Sequence, residues 1–211
     1  MTSHGRGLQS GYRRSSLARV SYRLREQQPG FYHVVARGNN KQRIFLTNAD
    51  RQLFLATLDR IALKFGWTVY AYCLMRNHYH LVLQVSDQGL SRGMCELQTA
   101  YAREFNKRHG RINHLFGKRY WSDRLGDNRR FLNTIRYVLQ NPRRAGREGP
   151  LEGYAWSSYA ATIGLALSAV KLAKDRLLAH FAGSPGSEIA ALVEFCDAPV
   201  PPRPEARRQP P

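Results

Sequence analysis

Trp67-Thr68-Val69-Tyr70-Ala71-Tyr72-Cys73-Leu74, followed by Met75-Arg76-Asn77 and then His78-Tyr79-His80-Leu81-Val82-Leu83-Gln84-Val85, is the stretch from which the fold can be read. Both outer runs carry the aromatic and β-branched side chains that fit a pleated surface, and the short turn between them makes an antiparallel hairpin. The strands are expected at Trp67 to Leu74 and at Tyr79 to Val85, with His78 leading into the second. Successive side chains of a strand leave opposite faces, so His78 and His80 share one face and Tyr79 takes the other. Leu81-Val82-Leu83 makes that strand part of a rigid platform. Cys73 reads as a buried thiol; the three cysteines, Cys73, Cys95 and Cys196, share no short spacing and follow no metal-site pattern.

Upstream of the hairpin, Phe31 to Ala36 is a strand after Pro29-Gly30, and it ends in the turn Arg37-Gly38-Asn39-Asn40. Asn48 or Asp50 caps a helix with an apolar face of Leu53, Phe54, Leu58, Ile61, Ala62 and Phe65, which Gly66 ends. Downstream, Leu90, Met94, Leu97, Tyr101 and Phe105 recur at helical spacing from about Leu90 or Ser91 to Arg108. A fourth strand is expected over Arg119 to Arg124. Asn128 then caps a helix through Phe131, Leu132, Ile135, Tyr137 and Val138, and Pro142 stops or kinks it. The order strand, helix, two strands, helix, strand, helix predicts an α+β fold: a ferredoxin-like antiparallel sheet with helices on one face. A C-terminal helical extension follows, with Trp156 and Tyr159 in a packed segment, one helix over 166–181 and a shorter one from Ser187 to Phe195. Four regions result: a basic flexible arm at 1–28, a main domain at 29–153, a packing extension at 154–198 and a Pro- and Arg-rich disordered tail at 199–211.

The charge balance narrows the function. Thirty-three Lys and Arg stand against fifteen Asp and Glu, a formal charge of +18, and 27 of the bases are arginine, whose planar fork suits phosphate. Residues 1–43 carry nine bases against one acid and residues 101–147 thirteen against three, whereas 44–100 is nearly neutral. Two basic segments around a neutral scaffold suggest one polyanion-facing side; a generic basic surface or a ribosome-associated protein is the bland alternative. The ends show neither an apolar span nor a secretory leader, so no membrane partner and a cytoplasmic, nucleoid-associated location are expected. There is no internal repeat.

Two imidazoles two residues apart on a strand can ligate one divalent cation, although such a pair is more often hydrogen-bonded structure. Tyr137 and Asn141 are four apart, on one helical face, so a nucleophile and a metal-binding oxygen could meet the histidine strand there. The plainer reading makes Tyr137 a core aromatic and Asn141 a C-terminal cap. His33 alternates with Tyr32 and Val34; it supports a metal site from outside, touches DNA, or is hydrogen-bonded within the sheet. His109 and His114 lie in a basic segment where they could meet phosphates. Arg37, Asn39, Asn40, Lys41 and Arg43, in a flexible turn, form one set of DNA-contact candidates, and Arg119, Arg124, Arg129, Arg130, Arg143 and Arg144 a second.

Several ordered strings resemble the single-tyrosine HUH transposases. They include Phe31-Tyr32-His33-Val34-Val35-Ala36-Arg37-Gly38-Asn39, Cys73-Leu74-Met75-Arg76-Asn77-His78-Tyr79-His80-Leu81-Val82 and Phe105-Asn106-Lys107-Arg108-His109-Gly110. Leu115-Phe116-Gly117-Lys118-Arg119-Tyr120, Ile135-Arg136-Tyr137-Val138-Leu139-Gln140-Asn141-Pro142-Arg143-Arg144-Ala145 and Trp156-Ser157-Ser158-Tyr159 continue the series. The match runs from about Pro29 to Gly164 and is most similar to the REP-associated tyrosine transposases, which act on repetitive extragenic palindromes in bacterial genomes. The resemblance implies a ferredoxin-like catalytic core, Mg²⁺ or Mn²⁺ on His78, His80 and Asn141, and Tyr137 as nucleophile. It implies cleavage and strand transfer on single-stranded DNA beside DNA hairpins through a 5′-phosphotyrosine link, by a monomer; some relatives exchange tyrosine helices in homodimers. Two departures stand out: Tyr79 replaces a bulky apolar residue inside the triplet, and Gly117-Lys118-Arg119 stands where Gln-Gly-Arg is common. A catalytically idle DNA-hairpin-binding protein is the alternative, and RNA binding a more distant one.

Overall fold

The structure, a computed structural model, describes residues 28–86, 89–183 and 187–199; the expected arm and tail lie, but for one residue each, outside these. β1 (Gly30–Arg37), α1 (Asn48–Lys64), β2 (Thr68–Leu74), β3 (His78–Val85), α2 (Leu90–Arg108), β4 (Trp121–Leu125) and α3 (Asn128–Leu139) follow in the expected order. The strands form one antiparallel sheet ordered β2-β3-β1-β4, so the hairpin strand β3 and the first strand β1 are its centre. No helix among the described residues is long and apolar enough to cross a membrane.

Strand alternation divides the core in two. Tyr32, Val34 and Ala36 of β1 and Tyr79, Leu81 and Leu83 of β3 meet α1 and α2 on one face. Val82 and, through a bulge between Val69 and Ala71, both Tyr70 and Ala71 turn to the other face. There Phe131, Ile135, Val138 and Leu139 of α3 cover them, and the C-terminal extension closes over α3. The close approach of α2 to the sheet needs glycine: a Cβ on Gly93 would lie 2.2 Å from the Trp67 ring.

The caps lie upstream of those expected, Thr47 instead of Asn48 or Asp50 and Asp127 instead of Asn128. Thr47 caps α1, with Asp50 completing a capping box, and Asp127 caps α3 by accepting from the Arg130 amide at 2.7 Å. The fourth strand starts at Trp121 rather than Arg119. Pro142 falls in the first turn of a new helix, α4 (Asn141–Arg144), where its missing N–H costs nothing.

The extension holds α5 (Tyr159–Thr162), α6 (Lys174–Leu178) and α7 (Glu188–Asp197). The single helix expected over 166–181 does not form. Its first half runs extended beside β2: Leu172 bridges Val69, and the Ala173 amide donates to the Val69 carbonyl at 2.9 Å. The Lys171 amide donates to Asp59 at 2.7 Å, and Val170 is buried in the first core. Tertiary partners thus take the amides that a helix would have used. Further along the same edge the Leu74 amide donates to the Trp156 carbonyl and the Ser158 amide to the Tyr72 carbonyl, at 2.8 and 3.0 Å.

Asp50 ties the ends of α1 and α2 together. Its fully buried carboxylate accepts from the Leu46 and Thr47 amides at 3.0 and 2.8 Å, from Arg108 at 3.2 Å and from His109 at 2.9 Å. Burial alone would raise its pKa, but the bonds from His109, Thr47 and Leu46 together hold it below the usual carboxylate value. Because the folded-state pKa is the lower one, the contribution is full above the unfolded value, about 3.9, and is lost as pH falls below it. Asp50→Ala is expected to cost about 3 kcal/mol in urea unfolding at neutral pH, with the gap to wild type narrowing as the titration is repeated toward pH 3.

Candidate active site

His78 and His80 leave β3 on the α3 side, opposite Arg37 and Val35 of β1. α3 crosses this part of the sheet and brings Tyr137 over it; Asn141, at the start of α4, follows one turn later. These side chains, with Val35, Arg37 and Arg144, line a cavity of about 240 Å³. The His78 and His80 rings are 5.1 Å apart and nearly perpendicular, and the Tyr137 ring stands edge-on to His80 at 5.6 Å. Asn141, buried, shares a side-chain hydrogen bond with His78, and its Nδ2 donates to the Tyr137 carbonyl at 3.4 Å. The four residues that the sequence motifs single out therefore meet, from three separate elements.

Each histidine has a partner behind it. His78 Nδ1 donates to Asn77 Oδ1 at 2.7 Å, and His80 Nδ1 lies 3.0 Å from His33 Nε2, with the two rings stacked. Burial first, and the Arg37 charge second, push the His78 pKa down to about 4, against the opposing Asn141 bond. Both therefore favour a neutral His78, whose ring is held between Asn77 at Nδ1 and Asn141 on its other side. His80 is oriented in the same way when its Nδ1–H donates to His33. An imidazole oriented through its second nitrogen is the usual setting of a metal ligand. No group of three or more His, Cys, Asp or Glu among the described residues is arranged to hold a metal, so a third protein donor here would be the Asn141 carbonyl oxygen. Two imidazoles and a carboxamide oxygen beside an open cavity fit a divalent cation that keeps water or phosphate oxygens as its remaining ligands.

The turn after β1 is anchored rather than slack. Asn39–Lys41 form one 3-10 turn with Asn40 and Lys41 at φ 49° and 58°. The Gly38 amide donates to the Asn77 carbonyl at 2.8 Å and the Asn39 amide to the Leu115 carbonyl at 2.9 Å. Gly38 cannot be replaced here without movement, since a Cβ would lie 2.2 Å from the Gln42 carbonyl oxygen. Asn77 Nδ2 donates to the Lys41 carbonyl at 3.0 Å, so one side chain links this turn to His78.

The remaining basic candidates divide. Arg37 borders the cavity, and the Arg144 guanidinium lies 5.2 Å over the Tyr137 ring. Asn40, Lys41, Arg43, Arg119 and Arg129 are exposed. Arg124 donates to the Pro29 carbonyl at 3.1 Å, while Arg130 and Arg143 pair with Asp123 and Asp197 at 2.5 and 3.2 Å. His109 is engaged by Asp50 and so is not a phosphate contact; His114 is exposed. Sequence reasoning missed Asn77 and Trp121, whose ring meets His33 edge-on at 5.4 Å. Asn77 adjoins the histidines in sequence, but nothing local reveals its two-sided bonding.

The motifs that resemble the single-tyrosine HUH transposases thus come together on one face of the sheet, the histidine strand under the helix that carries Tyr137. The profile of the family described as "Transposase IS200 like" matches residues 28–141, more than half of the chain, and the chain belongs to that family. A Haemophilus influenzae protein assigned as a REP-associated tyrosine transposase is 19% identical over 150 residues, covering 66% of this chain and 85% of that protein. The solved structure of a REP-associated tyrosine transposase bound to a REP hairpin superposes with a TM-score of 0.56 at 17% identity, over 69% of this chain and 87% of that one.

If the paired imidazoles hold a cation, Asn77→Ala will weaken Mn²⁺ binding by about tenfold or more in calorimetric titration. Asn77→Asp, which still accepts from His78, will lose less. Equal Mn²⁺ affinity in Asn77→Ala and wild type would show that Asn77 does not orient His78 for metal.

Proposed function

We propose that the protein is a metal-dependent endonuclease and strand transferase for single-stranded DNA, acting beside repetitive palindromic hairpins through a 5′-phosphotyrosine intermediate. The observation that carries this reading is the meeting of His78, His80, Tyr137 and Asn141 around one cavity. Membership of a transposase family, the +18 charge and the two REP-associated relatives support it.

His78, His80 and the Asn141 oxygen would hold Mg²⁺ or Mn²⁺, which when bound polarises a non-bridging oxygen of the scissile phosphate. His33 and Asn77 keep the two imidazoles oriented. Arg37 and Arg144 line the cavity as fixed positive charges and hold the phosphate against Tyr137. The Tyr137 hydroxyl loses its proton and attacks phosphorus in line: the Oη–P bond forms, the P–O3′ bond breaks, and the departing oxygen takes a proton to become a 3′-hydroxyl. The new link conserves a phosphoester, so attack by a 3′-hydroxyl reverses the step and joins strands without a nucleotide cofactor. The 39–43 turn, fixed next to His78 through Asn77, is suited to reading nucleotides entering the site, its Asn and basic side chains reaching base edges and phosphates. Catalysis is assigned to residues 29–153, with 154–198 as a packing extension.

The test is covalent capture. Wild-type protein with Mn²⁺ and a hairpin bearing a single-stranded flank is expected to yield a protein–DNA adduct on denaturing gels, and EDTA to abolish it. Tyr137→Phe should lose the adduct while keeping hairpin affinity. Undiminished cleavage by Tyr137→Phe would remove the tyrosine from its role, and tight hairpin binding without any product under varied metals would make the protein a binding module instead.

A further inference from the structure

Outside the cavity, α3 carries a second functional-looking row. Arg136, Gln140 and Arg143 follow one another at steps of four and three, so they form one stripe on the helical surface continued into α4. All three reach the last turn of α7 or the residue after it. The Arg136 guanidinium stacks 4.3 Å over the Phe195 ring and donates to the Phe195 carbonyl at 3.4 Å. Gln140 Nε2 donates to the carbonyls of Cys196 and Ala198, the latter at 2.9 Å. Arg143 pairs with Asp197 at 3.2 Å.

A helix leaves its last carbonyls without internal partners and gathers partial negative charge there. Here α3 and α4 supply an amide and two guanidinium groups to that end, and Arg136 and Gln140 are buried in doing so. The row next to this stripe, displaced by one residue or about 100° around the helix, is Tyr137, Asn141 and Arg144. Rotating or sliding α3 therefore moves the cavity-lining row by the same amount. The apolar contacts of Phe131, Ile135, Val138 and Leu139 resist lifting of α3 from the sheet, but they are non-directional and set rotation only loosely. Hydrogen bonds to fixed carbonyls set it sharply.

We propose that α7 is a rotational lock on the tyrosine helix, with Gln140, Arg136 and Arg143 as positioning residues that hold Tyr137 and Asn141 in register with the histidine strand. The proposal rests on the nuclease reading for its purpose but not for its geometry. Arg136 and Gln140 lie within the part of the chain that the family profile covers, which ends at Asn141, whereas Arg143 and α7 lie beyond it.

The experiment uses the full chain with 3-fluorotyrosine at position 137. Gln140→Leu, similar in size but without a donor, is expected to shift or split the ¹⁹F resonance. It should slow single-turnover cleavage at saturating hairpin DNA by about tenfold or more, since a displacement near 1 Å suffices for that, and leave hairpin affinity unchanged. Asp197→Arg should show a weaker form of both effects and Asp197→Arg with Arg143→Glu should recover, which keeps the test open if Gln140→Leu does not fold. An unmoved resonance with an unchanged rate in these variants overturns the lock, as does a loss of rate matched by loss of hairpin affinity. If wild-type protein forms no adduct, the nuclease reading fails, and the resonance alone still decides the lock.

Discussion

The two-residue period of β3 is the constraint on which the molecule turns. The strand lies between β2 and β1, so neither of its edges is free, and helices cover both of its faces. Tyr79, Leu81 and Leu83 are committed to the core beneath α1 and α2, and this burial fixes which side chains point the other way. A slip of one residue would drive two imidazoles into that apolar core and lift three large apolar side chains out of it. The register is therefore enforced by hydrophobic burial, and the histidines inherit their direction from it. Tyr79 in the middle of the triplet follows the same logic: fully buried, its ring packs on Phe54 and its hydroxyl accepts from Gln98.

Several polar groups under this scaffold join elements as well as cap them. Asp50 binds the start of α1 to the end of α2, and the Tyr101 hydroxyl donates to the Ile44 carbonyl between them. Asn77 binds the hairpin turn to the turn after β1. Each bond sits at a junction of chain segments far apart in sequence, where apolar packing alone would leave orientation loose. The basic turn beside the cavity is consequently held by Asn77, by the Leu115 carbonyl and by Arg111, which donates to Gln42 at 2.6 Å.

This pattern explains what could be read from the sequence. The long helices came from periodicity, because α2 buries one face and repeats accordingly, whereas β3, buried on both faces, came from its run of apolar and β-branched residues. The pairing of Tyr137 with Asn141 came from helical spacing, and the tie to His78 and His80 from motif resemblance. The caps were displaced upstream because Asn48 and Thr47, or Asn128 and Asp127, are chemically equivalent candidates until backbone geometry chooses. The stretch before Ala173 was misread as helix because its amides find Asp59 and Val69, contacts separated by about a hundred residues that no local pattern carries. Among the basic residues, composition gives a charge but not a partner: Arg143 meets Asp197 and Arg144 meets Tyr137, although they are neighbours in the chain.

The extended run beside β2 has one more effect. An open sheet normally offers two bare edges to other chains. Here Trp156 to Ser158 and Leu172 take up hydrogen-bonding positions along β2, and the opposite edge, β4, is only five residues long and carries Asp123 and Arg124. Neither border invites a foreign strand. Both borders of the sheet thus hinder the strand-to-strand association that an open edge promotes.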